Sequence, residues 1–191
     1  HNSVYSILQA SDKTIYVGSI MGLDIFDPIN NVFTHVPEIR NTRVHSVIED
    51  HLGLIWVATY QQGLYCYNPA TDTWVSYRHL HEKGALPSDR LICLYSDKQE
   101  RLFIGTEGAG MCRFNYQTQT FEPISDQISI STGIICSIVG DEQGNIWISK
   151  SNSINKIDIE NDKIQVLEES IGMKGNYYSY NSSYIDEDGL L

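Results

Sequence analysis

Short apolar runs recur along the chain, each about five residues long and each broken by turn chemistry, which is the pattern of β-strands in an antiparallel sheet. One set of four is especially clear: Val44 to Ile48, Ile55 to Thr59, Leu64 to Tyr67 and Thr73 to Tyr77. Asp50-x-x-Gly53 and Asn68-Pro69 divide its members. Asp bonds its own backbone two residues on, and Gly accepts the positive φ that closes such a turn. No stretch sustains a 3.6-residue apolar period flanked by caps, so helical solenoids are excluded.

The same set of runs returns several times. An earlier copy reads Val4 to Leu8, Thr14 to Ser19, Gly22 to Pro28 and Val32-Phe33; a later one runs through Leu91 to Asp97, Arg101 to Thr106, Gly110 to Asn115 and Thr120-Phe121. Another follows at Ile135 to Asp141, Gly144 to Ser149, Ser153 to Asp158 and Lys163-Ile164, and a last copy begins at Tyr180. The anchoring aromatics Tyr16, Trp56, Phe103 and Trp147 lie 40, 47 and 44 residues apart. Four strands per repeat make a propeller blade. The expected architecture is therefore all-β, a partial β-propeller over 1–191 with blades at approximately 2–36, 42–77, 89–124 and 133–167, and an incomplete repeat at 176–191. The four anchors, with Phe26, Tyr67, Phe114 and Ile157 in the third strands, are expected to pack between blades rather than to stack on a ligand. Copies with Lys13 or Glu100 at the glycine position are expected to have altered turns.

Composition narrows the function. A formal charge of −11 argues against a protein whose work is to neutralise a nucleic-acid backbone, so no nucleic-acid partner is expected. No apolar run reaches the roughly 18 residues that a membrane helix needs, so any membrane contact would come through other segments. The opening at His1 and the stop at Leu191 inside a repeat predict that the chain is a piece of a longer protein. Cys66, Cys93, Cys112 and Cys136 are 27, 19 and 24 residues apart and sit in apolar runs. They read as buried thiols rather than disulfides, and neither a metal site nor a cofactor is expected.

The string Val44-x-x-Val47-x-x-Asp50-x-x-Gly53-x-Ile55-Trp56-Val57-x-Thr59, then Gly63-Leu64-x-x-Tyr67-Asn68-Pro69, then Trp74, resembles the two-component regulator propeller repeat. Ala10, in place of the strand-ending Asp, and Ser149-Lys150, in place of Gly-Thr, depart from it and predict irregular blade edges. The resemblance implies a seven-bladed ring in the periplasmic sensor region of a hybrid histidine kinase from gut glycan-degrading bacteria. It implies a non-catalytic sensor that detects oligosaccharides, with kinase activity in segments outside this chain. A propeller lyase or hydrolase and a protein-binding scaffold are the competing functions. Self-association through open blade edges, or a dimeric sensor, is the expected assembly.

Blade connectivity places the second-to-third strand loops and the blade-to-blade connections on one face, where binding residues concentrate. Arg40, Arg43, Arg78, His79, His81 and Arg90 gather in connections there, with Tyr60 and Gln61 in a loop and Tyr177 and Tyr178 further on. These are the candidate ligand-binding residues. Guanidinium groups suit the carboxylate or sulfate of an acidic sugar, although Glu38, Glu82 and Asp89 interleave with them and ordinary solvated ion pairs account for the same charges. The histidines His35, His45, His51, His79 and His81 share no blade position, so no catalytic residue is assigned.

Overall fold

The computed structural model describes residues 3–124, 130, 132–151, 153–167, 179–181 and 183. Four four-stranded antiparallel blades follow one another in chain order. Blade one is β1 (Val4–Gln9), β2 (Ile15–Ser19), β3 (Gly22–Asp27) and β4 (Val32–Arg40). Blade two is β5 (Val44–Glu49), β6 (Ile55–Thr59), β7 (Leu64–Asn68) and β8 (Thr73–Tyr77). Blade three is β9 (Leu91–Ser96), β10 (Leu102–Gly108), β11 (Met111–Asn115) and β12 (Thr120–Pro123). Blade four is β13 (Gly133–Gly140), β14 (Ile146–Lys150), β15 (Ile154–Asp158) and β16 (Lys163–Leu167). Two extra pairs, Glu107 with Ile134 and Gly108 with Gly133, tie blade three to blade four.

Apolar residues from the facing sheets fill each gap between blades. Tyr16 and Leu23 meet Val44, Val47 and Ile55; Trp56 and Leu64 meet Leu91, Leu94 and Phe114; Phe103 and Met111 meet Ile135, Ile138 and Ile146. Tyr16, Trp56 and Phe103 are buried as expected, at 2%, 1% and 0% exposure. Trp147 is only half-buried, because no blade beyond β16 covers it among the described residues. Phe114 and Ile157 are buried, whereas Phe26 and Tyr67 are half-buried. All four cysteines are buried thiols, and burial pushes Cys66 up to about 12.

The innermost strands β1, β5, β9 and β13 lie side by side. In each, one residue drops out of register against its neighbour: Tyr5, His45, Ile92 and Cys136 are bulged. The next residue latches the following blade. Ser6 Oγ accepts from the Val47 amide at 3.0 Å, Ser46 Oγ accepts from the Leu94 amide at 3.3 Å, and Cys93 Sγ donates to the Ile135 carbonyl at 3.5 Å. Ser137 Oγ bonds Ser183 Oγ. Gly105 is required by this close approach, since a Cβ there would lie 2.5 Å from Cys93 Sγ.

The turn between the first and second strand is the same in all four blades, contrary to expectation for two of them. The amides of Lys13, Gly53, Glu100 and Gly144 donate to the carbonyls of Ala10, Asp50, Asp97 and Asp141 at 2.9–3.2 Å. Lys13 and Glu100 adopt φ of 74° and 63°, the conformation of Gly53 at 74°. The backbone pairing of the flanking strands fixes the turn, and the side chain is carried into the left-handed region with it. In blade one, which lacks the Asp, Asp12 Oδ1 takes the Thr14 amide instead.

Candidate functional site

The bulged His45 is the centre of the site. Its ring is stacked on Tyr5 at 5.4 Å with 2° between planes, and on Tyr60 at 5.5 Å with 22°, while Tyr180 lies tilted at 5.5 Å. The residue is 1% exposed, and neither ring nitrogen has a hydrogen-bond partner among the described residues. Burial, followed by the charge of Arg43, lowers its pKa to about 4 against a smaller opposing effect of Glu107, so the imidazole is neutral at pH 7.

Two cations bracket Tyr60. The guanidinium carbons of Arg43 and Arg90 lie 5.2 and 5.8 Å from its ring centroid, and Arg43 is also 5.6 Å from that of Tyr5. Glu107 takes Arg90 in an ion pair at 3.4 Å, and its carboxylate, interacting with the Tyr60 hydroxyl, pushes that phenol above its ordinary value. Chain geometry produces the convergence. Arg43 and Arg90 end their connections beside Val44 and Leu91, Tyr60 and Glu107 end second strands, and Tyr60 bridges Arg90 through the backbone. The Arg43 carbonyl accepts from the Tyr60 amide at 2.8 Å, and the Arg90 carbonyl from the Glu107 amide at 2.9 Å.

Below this cluster the innermost strands enclose a cavity of about 220 Å³, lined by Ser6, Ser46, Cys93 and Ser137 with Asn181 and Ser183. Asn181 spans it, donating from Nδ2 to the His45 carbonyl at 2.6 Å and from its amide to the Cys136 carbonyl at 2.8 Å. Among the described residues no group of three or more His, Cys, Asp or Glu is placed to hold a metal.

Of the residues singled out in the sequence, Arg43, Tyr60 and Arg90 are brought together in this cluster. Gln61, exposed with φ of 144°, is next to it. Arg40 is exposed at the end of β4, donating from Nε to the Pro37 carbonyl at 2.8 Å. Arg78, His79 and His81 go elsewhere. Arg78 pairs with Asp89 at 3.6 Å, and the same carboxylate accepts the His79 amide at 2.7 Å. His79 Nδ1 bonds the Leu86 carbonyl at 2.9 Å, and His79 and His81 meet edge to face at 5.0 Å. The two histidines line a separate groove of about 690 Å³ between the 78–90 connection and the outer part of blade three. Tyr177 and Tyr178 lie outside the described residues. Sequence reasoning missed His45, Tyr5 and Glu107; the signal available was their place in the repeat beside the connections, since residue type recurs at none of these positions.

Residues 38–61, which contain both Arg43 and Tyr60, match the family described as Two component regulator propeller. No curated protein matches the chain. Among solved structures, the extracellular domain of a hybrid two component system from B. thetaiotaomicron is similar over 99% of this chain and 27% of its own, with a TM-score of 0.85 and 20% identity. A one component system extracellular domain from the same organism is similar over 98% and 28%, with a TM-score of 0.78 and 21% identity. Virginiamycin B lyase from Staphylococcus aureus shares the fold over 87% and 56%, at a TM-score of 0.67 and 12% identity. The chain thus spans about a quarter of the length of the two B. thetaiotaomicron structures. Residues 38–61 match the two component regulator propeller repeat, and the chain has the blade architecture of an all-β propeller.

Proposed function

We propose that the chain is a non-catalytic, extracytoplasmic sensor module of a two-component signalling protein, and that it detects oligosaccharides at the cluster around Arg43, His45 and Tyr60. The observation that carries this is the overlap of the matched repeat with the cluster: Arg43 and Tyr60 both belong to residues 38–61. The extracellular setting of the B. thetaiotaomicron domains similar to it supports an extracytoplasmic, periplasmic location. Histidine kinase activity then belongs to other segments of a longer protein. The hydroxyl edges of Tyr5 and Tyr60 beside the Arg43 guanidinium suit the polar groups of a sugar, and a sensor transmits only if its ligand binds two conformations unequally.

Calorimetry with a panel of plant and host oligosaccharides tests the proposal. A saturable heat from one class of glycan, lost in Tyr60→Ala and unaccompanied by any new product, is the expected result. Release of a product that disappears on replacing Glu107 or His45 would instead favour the lyase or hydrolase reading, and binding of protein alone would favour a scaffold.

A further inference from the structure

We propose that the cluster around Tyr5, His45 and Tyr60 is a carboxylate-binding site whose receptor is the Arg43 guanidinium. The proposal rests on the sensor reading only for the sugar that would carry the carboxylate.

Every other arginine is engaged. Arg40 bonds the Pro37 carbonyl, and Arg78, Arg90, Arg101 and Arg113 pair with Asp89, Glu107, Asp97 and Glu122. Arg43 alone has neither a carboxylate nor a hydrogen-bond acceptor among the described residues, in a protein of net charge −11. It is nevertheless held in place. The rings of Tyr5 and Tyr60, at 5.6 and 5.2 Å, fix the guanidinium by cation–π contact, which orients the charge without neutralising it. A planar fork fixed in this way is ready for a planar two-oxygen anion, and the ordering cost of binding is already met.

A second observation points the same way. Arg43 Nε, Thr42 Oγ1 and both nitrogens of His45 are buried and have no hydrogen-bond partner among the described residues, all within residues 42–45. Native proteins leave few such atoms, and those they leave call for a partner. A neutral imidazole offers one donor and one acceptor, which suits hydroxyl groups beside a carboxylate. Glu107 limits the charge that the site accepts. It neutralises Arg90 at 3.4 Å and leaves one net positive charge, so a ligand with a single carboxylate at this point is favoured over a densely sulfated one.

The experiment follows the arginine Nε–Hε signals by NMR while trigalacturonate, its fully methyl-esterified form, heparin-derived tetrasaccharide or acetate is added. Trigalacturonate is expected to shift the Arg43 signal saturably, with the methyl ester weaker by about tenfold to a hundredfold, as loss of a charge-assisted bond implies. Arg43→Gln should abolish the response and Arg43→Lys should weaken it, while Arg113→Gln leaves it unchanged; melting curves of each variant establish that it is folded. Acetate binding as tightly as trigalacturonate would support the anion site and overturn the oligosaccharide reading. Three results would overturn the site: no saturable shift at Arg43 with any of the four probes, equal affinity for acid and ester, or an undiminished response in folded Arg43→Gln. Tighter binding of the heparin tetrasaccharide would overturn the preference for a single carboxylate.

Discussion

The carboxylate of Asp50 accepts a 2.8 Å hydrogen bond from the hydroxyl of Tyr116, which lies 66 residues further on and in the next blade. The same oxygen accepts from Trp56 Nε1 at 2.6 Å, and the other takes the Leu52 and Leu54 amides at 2.9 and 3.0 Å. One side chain therefore closes a turn, fixes the blade's anchoring aromatic and clamps two blades. Blade four keeps the Asp–Trp part through Asp141 and Trp147 at 2.8 Å. In blade three, where Phe103 has no donor, Arg101 supplies one to Asp97 at 2.6 Å and lies over the Phe103 ring.

Asp50→Ala leaves four donors without their acceptor in a largely buried place. A loss of about 3 kcal/mol or more is expected in chemical denaturation, as for other broken buried networks. Loss below 1 kcal/mol, within the range of an exposed group, would show that solvent replaces the carboxylate.

Trp56→Ala and Trp147→Ala should separate. Trp56 is 1% exposed and packs against Phe114 at 4.9 Å, so its removal should cost about 3–5 kcal/mol. Trp147 is half-buried with Lys156 over its ring, and its removal should cost less. Equal shifts of the unfolding midpoint would contradict the difference in packing.

Lys13→Gly should stabilise the protein by up to about 1 kcal/mol, because glycine relieves the left-handed penalty though it gives back part of the gain as unfolded-state entropy. Lys13 is exposed, so no packing is lost. A lowered melting temperature would mean that the turn is not strained.

His45 makes stability depend on acid. Its folded pKa of about 4 lies below the ordinary 6.5, so between those values the unfolded chain binds a proton that the native protein does not. This contribution is fully present above pH 6.5 and is lost as pH falls towards 4. His45→Phe should flatten the stability profile across that window. An unchanged slope would place the titration on other groups.

Ile7 should govern self-association. It is 69% exposed, whereas its counterparts Val47, Leu94 and Ile138 are buried to 4–6% exposure against the preceding blade. A second copy of the chain, presenting the outer face of its own last blade, is the expected occupant. Sedimentation should show concentration-dependent head-to-tail oligomers for the chain and monomers for Ile7→Glu. A monomer at all concentrations in both would reject the idea.

How much of this was legible beforehand differs from element to element. The strands and the buried Tyr16, Trp56 and Phe103 were, because each recurs at one repeat position and packing between blades demands the same thing of every copy. Arg43, Tyr60 and Arg90 were legible as members of one face, since strand direction alone assigns loops to faces. The separation of Arg78, His79 and His81 from them was not. It depends on the 78–90 connection folding outward, where the Phe121 amide reaches the Gly84 carbonyl at 2.8 Å, and length alone does not say which way a connection turns. His45 was missed for the opposite reason to Trp56: its position holds a different residue in each copy.

That last contrast has a structural cause. At the bulges occupied by Tyr5, His45, Ile92 and Cys136 the side chain is released from the register that constrains its neighbours, while the latch beside it holds the blades together. The residue type at each bulge can therefore differ from blade to blade, as the exposed Tyr5 and the buried His45, Ile92 and Cys136 do, without any change in how the strands of the other blades pair.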